Sequence, residues 1–179
     1  MRCTGSHRPS IFVLAAWLGA GCWSCGADSP GDGTFHWMIS TVAEIDAPPA
    51  RVWTVLTDLP AYHAWNPFIV EASGTVAVGE TLSLRMALPG HSPMTISPRV
   101  LVVEPDHELR WKGRLLIPGL FDGEHSFVLT PLPHGRTRLD HSERFGGLLL
   151  PIARRMIYDD TVQSFRALNT ALAERSMER

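Results

Sequence analysis

The segments FDGEHSFVLT (residues 121–130) and RTRLDHSERF (residues 136–145) alternate apolar and polar side chains and flank the loop PLPHG (residues 131–135). Alternation with a period of two is typical of a strand that has one face on the core. A short loop containing proline and glycine is typical of the connection between two paired strands. The sequence therefore predicts an antiparallel β-hairpin centred near Pro133.

Three ionisable residues share the core-facing side of this hairpin. The apolar residues that mark this side are Phe127, Leu129, Leu139 and Phe145. Since alternate residues of a strand point to the same face, His125, His141 and Glu143 are expected to face the interior with them. A hairpin centred near Pro133 predicts the register, which pairs Leu129 with Thr137, Phe127 with Leu139, His125 with His141 and Gly123 with Glu143. Cross-strand neighbours have β-carbons about 5 Å apart, so this register brings the two imidazoles together.

The chain before the hairpin contains strand and helix signals in a fixed order. Further strands are predicted over residues 35–46, 68–76, 81–88, 94–104 and 109–114. Between the first two, Pro48-Pro49 opens a helix, because proline in the first turn loses no hydrogen bond. Residues 61–65 form one more short turn. With the hairpin, the sequence predicts about seven strands and two short helices after the first strand.

A long helix is predicted after Gly146-Gly147. Its first apolar stripe consists of Leu149, Ile152, Ala153, Met156 and Ile157. A second stripe consists of Thr161, Phe165, Leu168 and Leu172. The second stripe is rotated by about a third of a turn on a 3.6-residue wheel. We therefore predict a bend or break between Tyr158 and Asp160.

Composition excludes several kinds of chemistry. The 179 residues suit one domain, and a net charge of −2 argues against nucleic acid as a partner. All three cysteines lie within the first 25 residues, and Lys112 is the only lysine. No G-x-S-x-G elbow, P-loop or G-x-G-x-x-G turn occurs, which disfavours hydrolase, NTPase and dinucleotide-binding functions. We expect neither a cofactor nor a metal.

The N-terminal region resembles an export signal. We interpret residues 1–27 as a signal peptide or lipoprotein signal, 28–34 as a linker and 35–179 as the folded domain. Cleavage after Ala27 would release an exported soluble protein. Lipidation of Cys22, which follows Gly19-Ala20-Gly21, would tether the protein to a membrane, although Gly19 stands where the lipoprotein pattern usually has leucine. A misassigned start codon would instead leave a cytoplasmic protein.

Two motifs carry a resemblance to a known superfamily. They are VLTDLPAYHAWNPF (residues 55–68) and the hairpin residues FDGEH (121–125) with HSERFGG (141–147). With the element order they resemble the START/Bet v 1 helix-grip (SRPBCC) superfamily, and within it the polyketide cyclase/dehydrase-like branch. The resemblance covers about residues 35–175 and implies an α+β helix-grip fold. In that fold a curved antiparallel sheet of about seven strands wraps around the long C-terminal helix and leaves an elongated cavity.

A cavity of this kind would take a hydrophobic small molecule. Candidate ligand-binding residues are Trp111, Trp65, Tyr62, Asn66, Phe127 and Met86. Imidazoles beside a carboxylate can transfer protons in enolisation, aldol closure or dehydration. We assign His141 and His125 as the acid/base pair and Glu143 as the group that orients one of them. A buried polar cluster that only holds the hairpin together would use the same residues, and two histidines with a carboxylate would also suit zinc or iron.

Two functions remain open from the sequence. The first is a cofactor-independent enzyme that cyclises or dehydrates a polyketide-like molecule. The second is a non-catalytic carrier or receptor for a lipid or polyketide, tethered to a membrane through Cys22. The inward His-His-Glu cluster favours the enzyme, and the export signal favours the carrier.

Overall fold

The computed structural model describes residues 35–114 and 119–178, except the side chains of residues 154 and 156. Its eight strands are β1 (His36–Ile45), β2 (Ile69–Ser73), β3 (Ser83–Met86), β4 (Met94–Ile96), β5 (Arg99–Glu104), β6 (Glu108–Arg114), β7 (Asp122–Leu132) and β8 (Arg136–Gly146). Its α-helices are α1 (Pro49–Thr57) and α2 (Leu150–Met177), and 3₁₀ turns cover Leu59–Ala64 and Pro133–Gly135. The predicted signal and linker, residues 1–34, lie outside the described residues.

The strands form two antiparallel sheets around α2. The larger sheet has the order β1-β8-β7-β6-β5, and the smaller has the order β2-β3-β4. Helix α2 packs against β1, β8 and α1. Its buried side chains Phe165, Leu168 and Leu172 join a single core with the inward residues of the sheets. The predicted α+β helix-grip fold is confirmed.

The predicted hairpin exists, but its register differs by two residues. Leu129 pairs with Leu139, Phe127 with His141 and His125 with Glu143, while Gly123 pairs with Phe145. The loop is centred on His134 rather than Pro133, because His134 and Gly135 adopt left-handed φ angles of 64° and 72° that close a three-residue turn. Moving the centre by one residue moves each pair by two. The faces are therefore unchanged, and His125 and His141 are diagonal neighbours instead of a direct pair.

The predicted strand 94–104 is two strands in different sheets. The chain leaves the smaller sheet after Ile96 and enters the larger one at Arg99. Pro98 has no N–H to donate to a ladder, so the strand is interrupted there. Its carbonyl accepts a hydrogen bond from the Leu82 N–H at 2.9 Å, which ties the crossing point to the strand beside it.

Helix α2 is continuous through the predicted bend at 158–160. Thr161 Oγ1 donates to the Ile157 carbonyl at 2.6 Å and Ser164 Oγ donates to the Asp160 carbonyl at 2.8 Å, so both hydroxyls are satisfied within the helix. The rotation between the two apolar stripes reflects a change in what the helix faces. The first half faces a cavity and the second half faces the core. Within the described residues, neither helix has the length and apolar character needed to span a membrane.

Replacing Phe165 with alanine is expected to lower the free energy of unfolding by about 3–5 kcal/mol, because its ring is fully buried between Phe68 and His141 of the larger sheet. Urea unfolding measures this loss. Arg166→Ala, at the exposed neighbouring position, is the control and should change stability by less than about 0.5 kcal/mol. Equal effects of the two substitutions would show that α2 does not anchor the core.

Candidate functional site

A cavity of about 370 Å³ lies between the first half of α2 and the two sheets. Its lining is mainly apolar, with contributions from Phe68, Met86, Leu88, Met94, Ile96, Phe121, Phe145, Leu149, Ala153 and Ile157. The polar lining residues are His91, Ser92, Arg114, Glu143 and Thr161. An apolar cavity with a few polar groups is typical of a small-molecule site.

Two glycines help to create this space. Gly113 on β6 and Gly123 on β7 are cross-strand partners, occupy inward positions and line the cavity. A β-carbon at Gly113 would meet Ile96 and Pro98 at 3.6 and 3.8 Å, which is ordinary contact. A β-carbon at Gly123 would collide with Glu143 Oε1. Gly123 is therefore needed to seat the Glu143 carboxyl group, whereas Gly113 leaves free volume.

Glu143 carries the cavity's carboxyl group. Residues on both sides of it in β8 alternate between the core and the outer face, which directs the Glu143 side chain inward. Its side chain is only 12% exposed, and its Oε2 lies 3.3 Å from His125 Nδ1. The cavity floor thus joins a carboxyl group to an imidazole.

Beyond the contact of Glu143 with His125, two hydrogen bonds continue into the core. His125 Nε2 lies 2.6 Å from His141 Nε2. His141 Nδ1 lies 2.7 Å from Asn169 Oδ1 on α2. We call Glu143, His125, His141 and Asn169 the relay. It runs from the cavity floor to the helix that the sheet surrounds.

Aromatic rings enclose the two histidines. His141 stacks on Phe165 with ring centroids 4.0 Å apart and an interplanar angle of 7°, and it also stacks on Phe127 with centroids 4.4 Å apart. His125 stacks on Trp111 with centroids 5.1 Å apart. Both imidazoles are buried, with relative exposures of 3% and 0%. Direct contact with the cavity is therefore made by Glu143 and not by His141.

Burial sets the protonation of the relay. Loss of hydration disfavours charge, so it raises the pKa of Glu143 to about 8 and lowers the pKa of His125 to about 3. The pKa of His141 also lies well below its ordinary value because of burial and the neighbouring His125, opposed by the hydrogen bond to Asn169. At neutral pH the three ionisable groups of the relay are therefore a protonated carboxyl group and two neutral imidazoles.

The structure brings together six of the nine residues predicted from the sequence and places the other three apart. His125, His141, Glu143, Trp111 and Phe127 form one cluster, and Met86 lines the cavity beside it. A small lobe of about 20 Å³ touches Trp111, His125 and Glu143 beside this cavity.

Tyr62, Trp65 and Asn66 lie in and after the turn that follows α1, and none of them lines the main cavity. Tyr62 Oη donates to the Leu56 carbonyl at 2.6 Å, and burial raises its pKa. Asn66 Oδ1 accepts from the Phe68 and Ile69 N–H groups at 3.0 and 2.8 Å. These contacts close a turn, and a ligand-binding role for the three residues stays a prediction.

Asn169 and Gly123 are site residues that the sequence patterns did not single out. Asn169 follows Phe165 by four positions and so lies on the buried face of α2, which was the available signal. For Gly123 the available signal was the predicted register, which placed this glycine opposite Glu143 on the inward face; in the structure Gly123 pairs with Phe145, and the Glu143 carboxyl group reaches over it diagonally.

The histidine pair does not have the geometry of a metal site. Two imidazole nitrogens on one zinc ion each lie about 2.0–2.1 Å from it and cannot approach each other as closely as a hydrogen-bonded pair does. The 2.6 Å separation fits a shared proton. Glu104, His107 and Glu108 also place potential ligand atoms within 4.8 Å of one another on the surface. There His107 hydrogen-bonds to Glu104 at 2.9 Å and Glu108 pairs with Arg110, so these contacts account for the group.

Comparison with known proteins identifies the family. Residues 36–175 match the model of a family described as polyketide cyclase/dehydrase and lipid transport, and the chain belongs to that family. This membership agrees with binding of a hydrophobic small molecule or a cyclase role. No curated protein sequence matches the chain significantly.

Solved structures share the fold. The ZhuI aromatase/cyclase from Streptomyces sp. R1128 is 18% identical, with a TM-score of 0.66 over 79% of this chain and 93% of that one. A START superfamily protein from Mycobacterium smegmatis is 20% identical, with a TM-score of 0.64 over 78% of this chain and 96% of that one. Truncated norcoclaurine synthase from Thalictrum flavum is 15% identical, with a TM-score of 0.62 over 80% and 95%. At these identities the likeness concerns the fold.

The folded protein is expected to be most stable near pH 6.5. Between the ordinary Glu143 pKa of 4.5 and its folded value of about 8, the folded state binds one more proton than the unfolded state at this residue, so this contribution falls as the pH rises. His125 and His141 have folded pKa values below the ordinary 6.5, so their contribution is lost as the pH falls below 6.5. Below pH 6.5 the stability lost through the two histidines exceeds the stability gained through the one carboxyl group, so the free energy of unfolding falls.

Above pH 6.5 only the carboxyl contribution changes, and stability should decline by about 1 kcal/mol per pH unit toward pH 8. Urea unfolding between pH 4 and pH 9 measures this profile. Glu143→Gln should remove the alkaline decline. Glu124→Gln, a partly exposed position on the outer face of the same hairpin, should preserve it. An alkaline decline that persists in Glu143→Gln would contradict the assignment.

Proposed function

We propose that the protein binds a mainly apolar small molecule carrying a carbonyl or hydroxyl group and catalyses its cyclisation or dehydration without a redox cofactor. One observation carries the proposal: a carboxyl group at the floor of an apolar cavity, backed by two buried imidazoles. A catalytic acid is most effective when its pKa lies near the working pH, and a pKa of about 8 meets this condition.

This proposal exchanges the roles assigned from the sequence. Glu143 lines the cavity and would transfer protons to and from the ligand. His125 and His141 lie behind it, where they would hold the carboxyl group and set its protonation. The histidines are thus positioning residues, and Glu143 is the candidate catalytic residue.

The dehydration step needs only one carboxyl group. Glu143 would give its proton to the hydroxyl group of a bound β-hydroxyketone, the C–O bond would break and water would leave. The resulting carboxylate would remove the proton from the α-carbon as the C=C bond forms. Glu143 is then protonated again, and the net change in the ligand is the loss of one water. Cyclisation would use the same proton transfers, because enolisation removes an α-proton and carbonyl addition requires a proton on oxygen.

The runner-up function is a non-catalytic carrier for a lipid or polyketide. The mainly apolar cavity lining favours it, since a carrier needs volume and little chemistry. Export, with or without a lipid on Cys22, would suit this role and remains part of the same proposal. A carrier would release its ligand unchanged.

Filling the cavity should weaken ligand binding whether the protein is an enzyme or a carrier. Gly113→Leu is expected to weaken binding of the neutral fluorescent probe N-phenyl-1-naphthylamine by at least about tenfold, because the leucine side chain would occupy the cavity floor. Gly113→Ala is the matched control and should bind nearly normally, because its β-carbon makes only ordinary contacts. Equal binding by both variants would place the probe site elsewhere.

Glu143→Gln distinguishes the enzyme from the carrier. Incubation of the full chain with a small-molecule extract of the source organism, followed by mass spectrometry, should show an enzyme product lighter by one water or an isomer of changed retention. The substitution is expected to reduce turnover by about 10²–10⁴-fold while the ligand still binds. Recovery of the bound molecule unchanged from both proteins would establish the carrier.

A further inference from the structure

We propose that Asn169 is a positioning residue that sets the direction of the relay and thereby holds a proton on Glu143. Its effect would act through His141 and His125, because Asn169 does not line the cavity. The inference rests on the proposed function only in making Glu143 the reacting group, and the protonation it describes can be measured without any ligand.

The orientation of the Asn169 amide is determined by Thr41 on β1. The Thr41 hydroxyl donates its single proton to the His141 carbonyl at 3.3 Å. Its oxygen is therefore available only as an acceptor, and it accepts from Asn169 Nδ2 at 2.9 Å. The amide oxygen must then face His141 Nδ1, at 2.7 Å. Thr41, His141 and Asn169 are all buried, so water is not at hand to replace a lost partner.

The orientation of this amide determines every proton along the relay. An amide oxygen accepts, so His141 Nδ1 must donate and its neutral Nε2 must accept. His125 Nε2 therefore donates to His141, which leaves His125 Nδ1 as an acceptor. The group that faces this acceptor, Glu143 Oε2 at 3.3 Å, is a donor only when the carboxyl group is protonated.

The opposite amide orientation would reverse the relay. With a donor or no partner at His141 Nδ1, His141 would carry its proton on Nε2 and donate to His125. His125 would then donate from Nδ1, and an ionised Glu143 would accept. Both directions keep the imidazoles neutral. The orientation of the Asn169 amide therefore selects the direction, and the direction determines whether Glu143 is protonated or ionised.

Other charged groups around Glu143 do not distinguish the two directions. His125 on β7 is its direct partner, and its cross-strand partner on β1 is the apolar Ile39. Among the described residues that line the cavity, the other ionisable groups are Arg114 at the end of β6 and His91. His91 bonds to Asp160 of α2 at 3.2 Å. Neither Arg114 nor His91 bonds to Asn169 in the hydrogen bonds described, so the direction of the relay does not depend on them.

The test uses Asn169→Leu, a substitution of similar size that removes the acceptor, in the full chain without ligand. A buried N–H without a partner is rare, so His141 should move its proton from Nδ1 to Nε2. Carbon-13 NMR of labelled glutamate, assigned with Glu143→Gln, should show the Glu143 pKa lower by at least one unit. Nitrogen-15 NMR should show the changed His141 tautomer.

Thr41 provides a second, independent pair of variants. Thr41→Val removes the hydroxyl that orients the amide and should also lower the pKa of Glu143. Thr41→Ser keeps the hydroxyl and should leave the Glu143 pKa and the His141 tautomer as in the wild type. This pair decides the question if Asn169→Leu does not fold.

Ser164→Ala controls for general loosening of α2. Ser164 is buried on the same helix but bonds to the Asp160 carbonyl and makes no contact with the relay in the hydrogen bonds described. It should leave the Glu143 pKa unchanged. A wild-type Glu143 pKa and His141 tautomer in folded Asn169→Leu, or in Thr41→Val, would overturn the proposal.

Turnover separates this inference from the proposed function. If the protein is an enzyme, the alkaline limb of kcat/KM should move to lower pH in Asn169→Leu, whereas a purely structural role would lower kcat without moving the limb. If the protein is a carrier, no turnover is seen in any variant, and the NMR comparison still supports or overturns the assignment of Asn169.

Discussion

The chain of polar contacts from Glu143 through His125 and His141 to Asn169 is the interaction on which the site depends. It joins the β7–β8 hairpin to α2 in a region where aromatic rings exclude water, so each member relies on its neighbour for a partner. Burial keeps both imidazoles neutral and raises the pKa of the carboxyl group. The same contacts that hold the sheet against the helix therefore also determine the protonation of the group that faces the cavity.

Two glycines create the cavity and make room for the Glu143 carboxyl group. Gly113 and Gly123 lie side by side on neighbouring strands at positions where a larger residue would fill the space under α2. The Glu143 carboxyl group occupies the volume over Gly123. Most inward positions nearby carry apolar groups, so the carboxyl group is presented to an apolar space. This combination suits the binding of a hydrophobic small molecule, and the family description of polyketide cyclase/dehydrase and lipid transport is in keeping with it.

Local patterns predicted much of this arrangement and failed where the backbone leaves its regular course. Alternation in β7 and β8 placed His125, His141 and Glu143 inward, and the structure agrees. The hairpin register was wrong by two residues because it depends on the left-handed conformation of His134, which the sequence does not announce. The strand containing Pro98 was predicted as one element because its apolar pattern continues across two sheets. The change of stripe in α2 was interpreted as a bend, although it marks the passage from cavity to core.

Sequence patterns alone determined the order of the elements, the inward face of the hairpin and the three ionisable residues on that face. These features follow from periodicity and from the positions of proline and glycine, which are properties of neighbouring residues along the chain. Only the tertiary structure decided that His141 lies behind His125 rather than in the cavity, that Glu143 alone of the three lines the cavity, and that Asn169 and Thr41 complete the relay. Thr41, for example, lies 100 positions from His141 and 128 positions from Asn169 along the chain. These relations arise from the packing of α2 and β1 against one hairpin, and no local pattern records that packing.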